Sequence, residues 1–210
     1  MSPTARSSPA PEQGGGELFG REKDRNGARV MDKADVRRAI TRIAHEIIER
    51  NRGAEDLVII GVHTRGVPLA YRLGKLIEQI EGHAIPVGEI DIVDHRDDRP
   101  SGQAESRTRI DFSVAGRKVV LVDEVLYTGR TVRAALDALI EHGRPASVQL
   151  AALVDRGHRE LPVRADYVGK NIPTSRRERV RVLLSDTDGE EGVFIERLAP
   201  QIPCPTSRNL

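Results

Sequence analysis

The chain has 210 residues, and its 33 Lys and Arg residues nearly balance its 32 Asp and Glu residues, giving a formal charge of +1. This balance excludes binding of nucleic acid through overall charge, so any such site must be a local basic patch. A single cysteine, Cys204, excludes an internal disulfide framework and a zinc site built from cysteines. No stretch approaches the roughly 18 apolar residues of a membrane span, and the N-terminus lacks the apolar segment of a secretory signal, so we expect a cytoplasmic protein.

Both ends of the chain have the composition of disordered segments. Residues 1–30 contain SPTARSSPAPEQGGG and then mostly charged residues, and the last residues read PQIPCPTSRNL. We therefore predict a disordered extension over residues 1–30, one domain over residues 31–198 and a flexible tail over residues 199–210. A domain of that length can bury a substantial core.

Helix and strand patterns alternate along the predicted domain. Asp32 is a candidate N-cap for the first helix, and short apolar runs bounded by turn residues indicate strands. In chain order we predict helix 33–50, strand 57–62, helix 66–82, strand 86–93, strand 118–123, helix 131–142, strand 148–154, and shorter strands near 164–168, 180–184 and 193–196. This alternation predicts an α/β fold, with a mostly parallel central sheet flanked by helices on both faces.

The most informative stretch is VVLVDEVLYTGRTV, residues 119–132. Its apolar half is typical of a strand buried on both faces, and Asp123 and Glu124 follow where open α/β sheets bind ligands. Buried carboxylates are costly unless they are paired or bind something. Gly129 permits close backbone approach, while two threonine hydroxyls and the start of a helix favour an anion. A phosphate pocket beside carboxylates that accept hydrogen bonds from hydroxyls fits a ribose 5-phosphate.

Other interpretations of this stretch stay open on these residues alone. The carboxylates could face a cationic centre or the hydration shell of Mg²⁺. The segment could also be a strand followed by a capped helix, with threonine and glycine serving only the turn. The chain has neither GxGxxG nor a P-loop sequence, so a dinucleotide site and a P-loop are not predicted.

The stretch resembles the 5-phosphoribosyl-1-pyrophosphate signature of type I phosphoribosyltransferases. Three further segments, TRIAHEIIERN (41–51), GVHTRG (61–66) and HGRPASVQLAALVDRGHRELPVRADYVGKNIPTS (142–175), are similar to the PyrR family. Members of that family are pyrimidine-operon attenuator proteins that are also uracil phosphoribosyltransferases. The similarity runs from about residue 32 to about residue 196, and its most specific part is LVDRGHRELPVRADYVGKNIPTS.

The resemblance implies a type I phosphoribosyltransferase fold with a small base-binding hood. It implies conversion of uracil and phosphoribosyl pyrophosphate to UMP and pyrophosphate, with Mg²⁺ bound mainly through the substrate and no direct protein metal site. It also implies binding of pyrimidine-operon mRNA when a uridine nucleotide such as UMP or UTP is present, and a homodimer or larger homo-oligomer. Carboxylates near the ribose and a metal on the pyrophosphate suit the oxocarbenium-like charge of such a reaction.

Matching the motifs residue by residue assigns roles to this chain. Asp123, Glu124 and Arg65 are the predicted catalytic residues, with the two acids holding the ribose hydroxyls. The predicted substrate-binding residues are Thr64, Arg65, Gly66, Arg107, Asp123, Glu124, Val125, Leu126, Tyr127, Thr128, Gly129, Arg130, Thr131, Arg156 and Val180.

These residues fall into three groups. Residues 64–66 correspond to a pyrophosphate loop, residues 127–131 to the 5-phosphate loop, and Arg156 and Val180 to contacts with nucleotide or base. Taken alone, residues 64–66 could be an ordinary strand-to-helix turn, and Val180 would be assigned to the core.

The first predicted helix has one basic face. At 100° per residue, apolar Val36, Ile40, Ile43, Ala44 and Ile47 lie on one side, and Arg38, Thr41, Arg42, His45 and Glu49 on the other. A solvated surface explains such charges on the helix alone, whereas the resemblance implies RNA contacts. The predicted RNA-binding residues are Thr41, Arg42, His45, Arg50, His158, Arg159, Arg164 and Lys170. Phosphate contacts would make the affinity salt-dependent, and sequence would be read from unpaired loop bases.

The sequence departs from the family pattern in three places. Glu124 stands where the family has a second aspartate, His95 stands where it has a tyrosine before Arg-Asp-Asp, and the segment 94–109 that would form the mobile lid is short. Arg107 in that segment is the candidate to reach the pyrophosphate, with Arg109 second, although a solvated charged loop is the alternative. Two rival functions follow: a regulator with little catalysis, or a phosphoribosyltransferase for another base with no RNA role.

Overall fold

The computed structural model describes residues 27–97 and 106–198, so the disorder predicted for residues 1–26 and 199–210 lies outside the described residues. The elements in chain order are β1 Ala28–Met31, α1 Lys33–Asn51, β2 Leu57–Val62, α2 Gly66–Glu81, β3 Val87–Ile90, a 3-10 helix Val93–His95, β4 Lys118–Leu126, α3 Arg130–Glu141, β5 Ser147–Asp155, β6 Tyr167–Asn171, β7 Glu178–Leu183, α4 Ser185–Asp188 and β8 Gly192–Arg197. Within this part of the chain, no helix is long and apolar enough to cross a membrane.

The main sheet has five parallel strands in the order β3-β2-β4-β5-β6. All six residues of β2 are buried, as are residues 119–123 of β4, because both strands are covered on both faces. The predicted mostly parallel sheet is therefore confirmed.

Helices cover the two faces of this sheet unequally. Helices α1 and α2 pack on one face, in an apolar cluster that includes Ile47, Leu73 and Val120. Helix α3 packs on the other face, in an apolar cluster that includes Leu139 and Leu121. Because neighbouring residues of a strand point to opposite faces, Val120 and Leu121 belong to different clusters.

A second sheet of three antiparallel strands, β1-β8-β7, joins the α1 and α2 side of the core. We call it the small sheet, and it forms the hood that the resemblance implied. The prediction of disorder up to residue 30 was wrong at residues 28–30, which belong to β1. Ala28 pairs with Ile195, and the Arg29 guanidinium lies 5.3 Å from the centre of the Phe194 ring. These partners are more than 160 residues away, so local composition gave no signal of the strand.

Three strand boundaries also differ from the prediction for physical reasons. The strand predicted near 164–168 begins at Tyr167, because the Asp166 carboxylate accepts a hydrogen bond from the Leu150 N–H (2.8 Å) and shapes the approach to the strand. Strand β3 ends at Ile90, and the Asp91 carboxylate accepts a hydrogen bond from the Val93 N–H (3.2 Å). Strand β4 extends past the two acids to Leu126 and stays paired with β5.

The N-cap prediction is confirmed. Asp32 accepts a hydrogen bond from the Asp35 N–H (2.7 Å), and the Asp35 carboxylate accepts one from the Asp32 N–H (3.1 Å). This reciprocal capping box satisfies two backbone donors and fixes the start of α1.

Candidate active site

The candidate site lies at the carboxyl edge of the main sheet, where three neighbouring strands end in loops. The loop after β2 carries Arg65, the loop after β4 leads into α3, and the loop after β5 begins with Arg156. Because β2, β4 and β5 are adjacent and parallel, these loops meet at one edge.

The loop after β4 surrounds a cavity of about 250 Å³. Gly129 has a positive φ of 93°, which lets the chain turn directly into α3 at Arg130. The residues that line the cavity are Arg96, Asp97, Asp123, Val125, Leu126, Tyr127, Thr128, Gly129, Arg130, Thr131 and Val132. The first residues of α3 line this space, and the amino end of a helix favours an anion.

Asp123 is only 5% exposed and lines this cavity. Its Oδ1 accepts a hydrogen bond from the Glu124 N–H (2.8 Å). Burial raises the pKa of the Asp123 carboxyl well above its ordinary value, and the adjacent Glu124 raises this pKa further. The two carboxyls are therefore suited to bind hydroxyl donors or a cation, either of which would lower the cost of burying negative charge.

The loop after β2 packs directly on β4. A Cβ atom added to Gly66 would lie 2.3 Å from the carbonyl oxygen of Val122, so only glycine permits this approach. The peptide between His63 and Thr64 is cis. Arg65 donates two hydrogen bonds to Asp188 of α4, from Nη2 to Oδ1 (2.8 Å) and from Nε to Oδ2 (3.2 Å). The structure thus brings the predicted pyrophosphate loop beside the two acids.

Arg107 does not line the cavity. Its Nε donates to Oδ2 of Asp91 at 2.8 Å, and the Asp91 side chain is only 3% exposed. Burial acts to raise the pKa of Asp91, but hydrogen bonds from Arg107 and Val93 lower it overall. Arg107 therefore stabilises a buried carboxylate at the end of β3 in this conformation, and its reach to the pyrophosphate stays a prediction.

Arg156 is buried, and it connects the phosphate loop to the segment that leads into strand β7 of the small sheet. Its guanidinium lies 3.9 Å from the centre of the Tyr127 ring. It also donates to Thr174 Oγ1 (3.0 Å) and to the carbonyl of Glu178 (2.9 Å). Val180 is 7% exposed within the core of the small sheet, so its contact with a base stays a prediction.

Three residues that line the cavity, Arg96, Asp97 and Val132, were missed as site residues from the sequence. Arg96 and Asp97 follow the 3-10 helix and line the cavity opposite the phosphate loop. The Asp97 carboxylate accepts a hydrogen bond from Arg130 Nη1 (2.6 Å), while Arg130 Nε donates to Glu160 (2.9 Å). The Arg-Asp-Asp sequence after His95 was the available signal, because it follows strand β3 at the same edge of the sheet.

Most of the predicted RNA-binding residues lie together on α1 and the edge strand β6. Arg42 donates to the carbonyls of Val168 (2.9 Å) and Gly169 (2.6 Å), so it covers the unpaired edge of the main sheet. Arg50 pairs with Asp166 at 2.8 Å, and Lys170 donates to the carbonyl of Val30 at 2.9 Å. Thr41 and His45 lie on the same helix, with His45 exposed.

His158 and Arg159 do not join this face. His158 contacts the carbonyl of Thr174, and Arg159 Nη1 donates to the carbonyl of Tyr127 (2.9 Å). Arg159 also pairs with Asp155 at the end of β5. Both residues therefore border the phosphate loop, whereas Arg164 is exposed in the loop that leads to β6.

Comparison with known proteins agrees with this geometry. The family model described as phosphoribosyl transferase domain matches residues 29–182. The hypoxanthine phosphoribosyltransferase of Trypanosoma cruzi superposes with a TM-score of 0.63 at 20% identity, over 83% of this chain and 98% of that chain, which shows the shared fold. The chain therefore belongs to the phosphoribosyltransferase family.

Two curated relatives identify the branch of that family. The bifunctional protein PyrR of Clostridioides difficile (strain 630) is 60% identical over 172 residues, covering 80% of this chain and 97% of that protein. The bifunctional protein PyrR of Deinococcus radiodurans is 59% identical over 177 residues, covering 83% of this chain and 96% of that protein. The chain is thus a member of the bifunctional PyrR family, and the resemblance stated from the sequence is confirmed.

Proposed function

We propose that this protein converts uracil and phosphoribosyl pyrophosphate to UMP and pyrophosphate, and that it binds pyrimidine-operon mRNA when a uridine nucleotide is present. The observation that carries the enzymatic half is the juxtaposition of three features at one sheet edge. These are the cavity of the phosphate loop, the buried Asp123 with Glu124, and the Arg65 loop packed on β4 through Gly66.

Each feature has a task in the transfer reaction. Backbone N–H groups at the start of α3, with the hydroxyls of Thr128 and Thr131, bind the 5-phosphate. Asp123 and Glu124 accept hydrogen bonds from the ribose hydroxyls and face the positive charge that develops on the ring. Uracil N1 forms a bond to the anomeric carbon as the bond from that carbon to pyrophosphate breaks. Pyrophosphate leaves with the electron pair of the broken bond, and the N1 proton passes to water. Arg65 neutralises the charge of the leaving pyrophosphate.

Mg²⁺ fits this site through its oxygen donors. Within residues 27–97 and 106–198, no cluster of three or more His, Cys, Asp or Glu residues is placed to hold a metal. Mg²⁺ would be held mainly by substrate oxygens, with the Asp123 and Glu124 carboxylates facing its hydration shell, since this ion keeps several waters and uses few protein ligands. When bound, it would supply positive charge to the pyrophosphate.

RNA binding is assigned to the face formed by α1 and β6. Thr41, Arg42, His45, Arg50 and Lys170 project from these two neighbouring elements, and they supply four cationic or titratable side chains. Such a surface contacts phosphates, and the 3% aromatic content of the chain gives little base stacking. We assign His158, Arg159 and Arg164 to the border between this face and the nucleotide site.

The remaining partners follow from this assignment. A protein that uses uracil, phosphoribosyl pyrophosphate and operon mRNA acts in the cytoplasm. We expect a homodimer or larger assembly, which light scattering coupled to gel filtration would measure directly.

Two assays test both halves of the proposal together. Labelled uracil should be converted to UMP in the presence of Mg²⁺ and not after chelation, while hypoxanthine and guanine should not react. A pyrimidine-leader RNA should bind more tightly when UMP is added. If uracil fails to react and RNA binds, the protein is a regulator with little catalysis. Reaction with a purine alone would show that the assignment to uracil is wrong.

A further inference from the structure

The contact between Arg65 and Asp188 joins two parts of the chain that are 123 residues apart in sequence. Arg65 belongs to the loop after β2, and Asp188 is the last residue of α4, which connects β7 to β8 of the small sheet. Both carboxylate oxygens accept hydrogen bonds from the guanidinium. A planar guanidinium held by two bonds to one carboxylate has a defined orientation.

Asp188 is itself fixed by the turn that carries it. Its Oδ2 accepts a hydrogen bond from the Leu184 N–H (2.9 Å), and its own N–H donates to the Leu184 carbonyl (2.7 Å). The side chain is 16% exposed, and Gly189 follows with a positive φ of 73°. The hydrogen bond from Arg65 lowers the pKa of Asp188, so this carboxyl is ionised near neutral pH. Arg65 therefore pairs with a rigid anion.

This pairing leaves a defined part of Arg65 available to a ligand. Asp188 occupies the edge of the guanidinium formed by Nε and Nη2, and within the described residues Nη1 has no hydrogen-bond partner. Glu124 also acts electrostatically on Arg65, from the β4 side. The guanidinium thus bonds to an acid of α4 and is influenced by the charge of an acid of the predicted phosphoribosyl site.

We propose that Asp188 is the positioning residue of Arg65: it holds the guanidinium so that its Nη1 side faces the pyrophosphate of the substrate. This inference rests on the proposed function, since it names the residue that orients one of its predicted groups. Asp188 touches Arg65 and not the substrate. Without it, the long Arg65 side chain would sample other rotamers, and the pyrophosphate would lose a fixed cation.

Measurements of ligand binding and of turnover test this proposal, with one matched control variant. We would measure binding of phosphoribosyl pyrophosphate and of pyrophosphate, both with Mg²⁺, by calorimetry, and the KM of each substrate by steady-state kinetics. Asp188→Asn should weaken both ligands about tenfold and leave the KM for uracil within about twofold. Asp188→Glu keeps the charge and should recover most of the loss. Asp186→Asn is the control, because Asp186 lies in the same turn but pairs with Arg72 at 2.8 Å.

A double-mutant cycle separates positioning from a purely structural role. In an Arg65→Gln background, Asp188→Asn should have no further effect on pyrophosphate binding, because the group through which it acts is gone. Full additivity of the two substitutions would overturn the proposal, and so would an equal loss in Asp186→Asn. If the wild-type protein turns over no uracil, the enzymatic half of the proposed function fails, while calorimetry still decides the role of Asp188.

Discussion

At the residue scale, Asp123 shows how the site is built at the expense of stability. The carboxyl is buried beside a second acid, and it accepts a hydrogen bond from the neighbouring Glu124 N–H. Burial and the charge of Glu124 raise its pKa in the folded chain. Such an arrangement is costly in the unliganded protein and becomes favourable when hydroxyl donors or a cation arrive.

We predict that Asp123→Asn stabilises the unliganded protein while abolishing turnover. Well below the ordinary pKa of 3.8, the carboxyl is protonated in both states and costs little. Above that pH the unfolded chain releases the proton and the folded chain retains it, so stability falls until the pH passes the raised folded pKa. Removing this titration should raise the Tm by at least about 2 °C at pH 8, and by less at pH 5.

Calorimetric unfolding at the two pH values would measure this effect. Asp56→Asn, the same substitution at an exposed position, serves as the control and should shift the Tm by no more than about 1 °C. A fall in Tm for Asp123→Asn at pH 8 would show that the carboxylate is compensated in the unliganded protein.

Glu124 gives a second prediction at this scale. Its side chain approaches Asp123, and its extra methylene relative to aspartate shifts the carboxylate by about one C–C bond. Glu124→Asp should therefore raise kcat/KM for phosphoribosyl pyrophosphate a few-fold, equivalent to about 1 kcal/mol or less. Steady-state kinetics at saturating uracil would test this. A clear loss of kcat/KM would mean that the site has adapted to glutamate.

At the scale of elements, the site depends on how closely the loop after β2 approaches β4. Gly66 makes this approach possible, since a Cβ atom there would overlap the Val122 carbonyl. Gly66→Ala should force the loop off the strand, at a cost of about 1–3 kcal/mol in unfolding free energy. Because the displaced segment carries Thr64 and Arg65, binding of pyrophosphate should weaken as well.

Gly82→Ala provides the comparison for this prediction. Gly82 ends α2 with a positive φ of 78° and has open space around its Cβ position, so alanine there adds backbone strain without a clash. It should cost about 1 kcal/mol and leave pyrophosphate binding unchanged. Chemical denaturation with calorimetric binding separates the two. Equal effects of both variants on binding would mean that general stability, and not loop position, determines pyrophosphate affinity.

The elements also show which features the sequence could predict. Periodicity and apolar runs predicted α1 to α3 and the five parallel strands, because those signals are local. Residues 127–131 predicted an anion pocket at the start of α3, and they line a cavity there, while their binding of phosphate stays a prediction. Strand β1 was assigned to a disordered segment, and Asp188 was missed. Both depend on partners far along the chain, Ile195 for β1 and Arg65 for Asp188. No local pattern encodes such pairs.

At the scale of the whole molecule, the two proposed functions occupy different parts of one sheet. The phosphate loop lies at the carboxyl end of central strand β4, whereas Arg42 lies on α1 and contacts edge strand β6. Loop residues His158 and Arg159 contact Thr174 and the phosphate loop. This segment connects β5 to β6, so it links the loop beside the cavity to the strand that Arg42 contacts.

The last prediction is that the two functions can be separated by single substitutions. Arg42→Gln should weaken RNA binding while uracil turnover stays near normal. The slope of log affinity against log salt concentration should become shallower by about one. Since Arg42 also bonds to Val168 and Gly169, His45→Ala is the companion variant, because His45 is an exposed residue of the same helix. Arg144→Gln makes the same charge change in the turn before β5 and should leave RNA affinity unaltered.

Thr131→Ala is the converse variant, because Thr131 lines the phosphate cavity. It should weaken phosphoribosyl pyrophosphate about tenfold, and it should affect RNA only through loss of the nucleotide signal. Filter binding at several salt concentrations, with and without UMP, would be compared with steady-state turnover for all four variants. If Arg42→Gln and His45→Ala leave RNA affinity and its salt slope unchanged, the basic face of α1 is a solvated surface. RNA binding must then be sought elsewhere on the molecule, because the phosphate contacts proposed for this face would be absent.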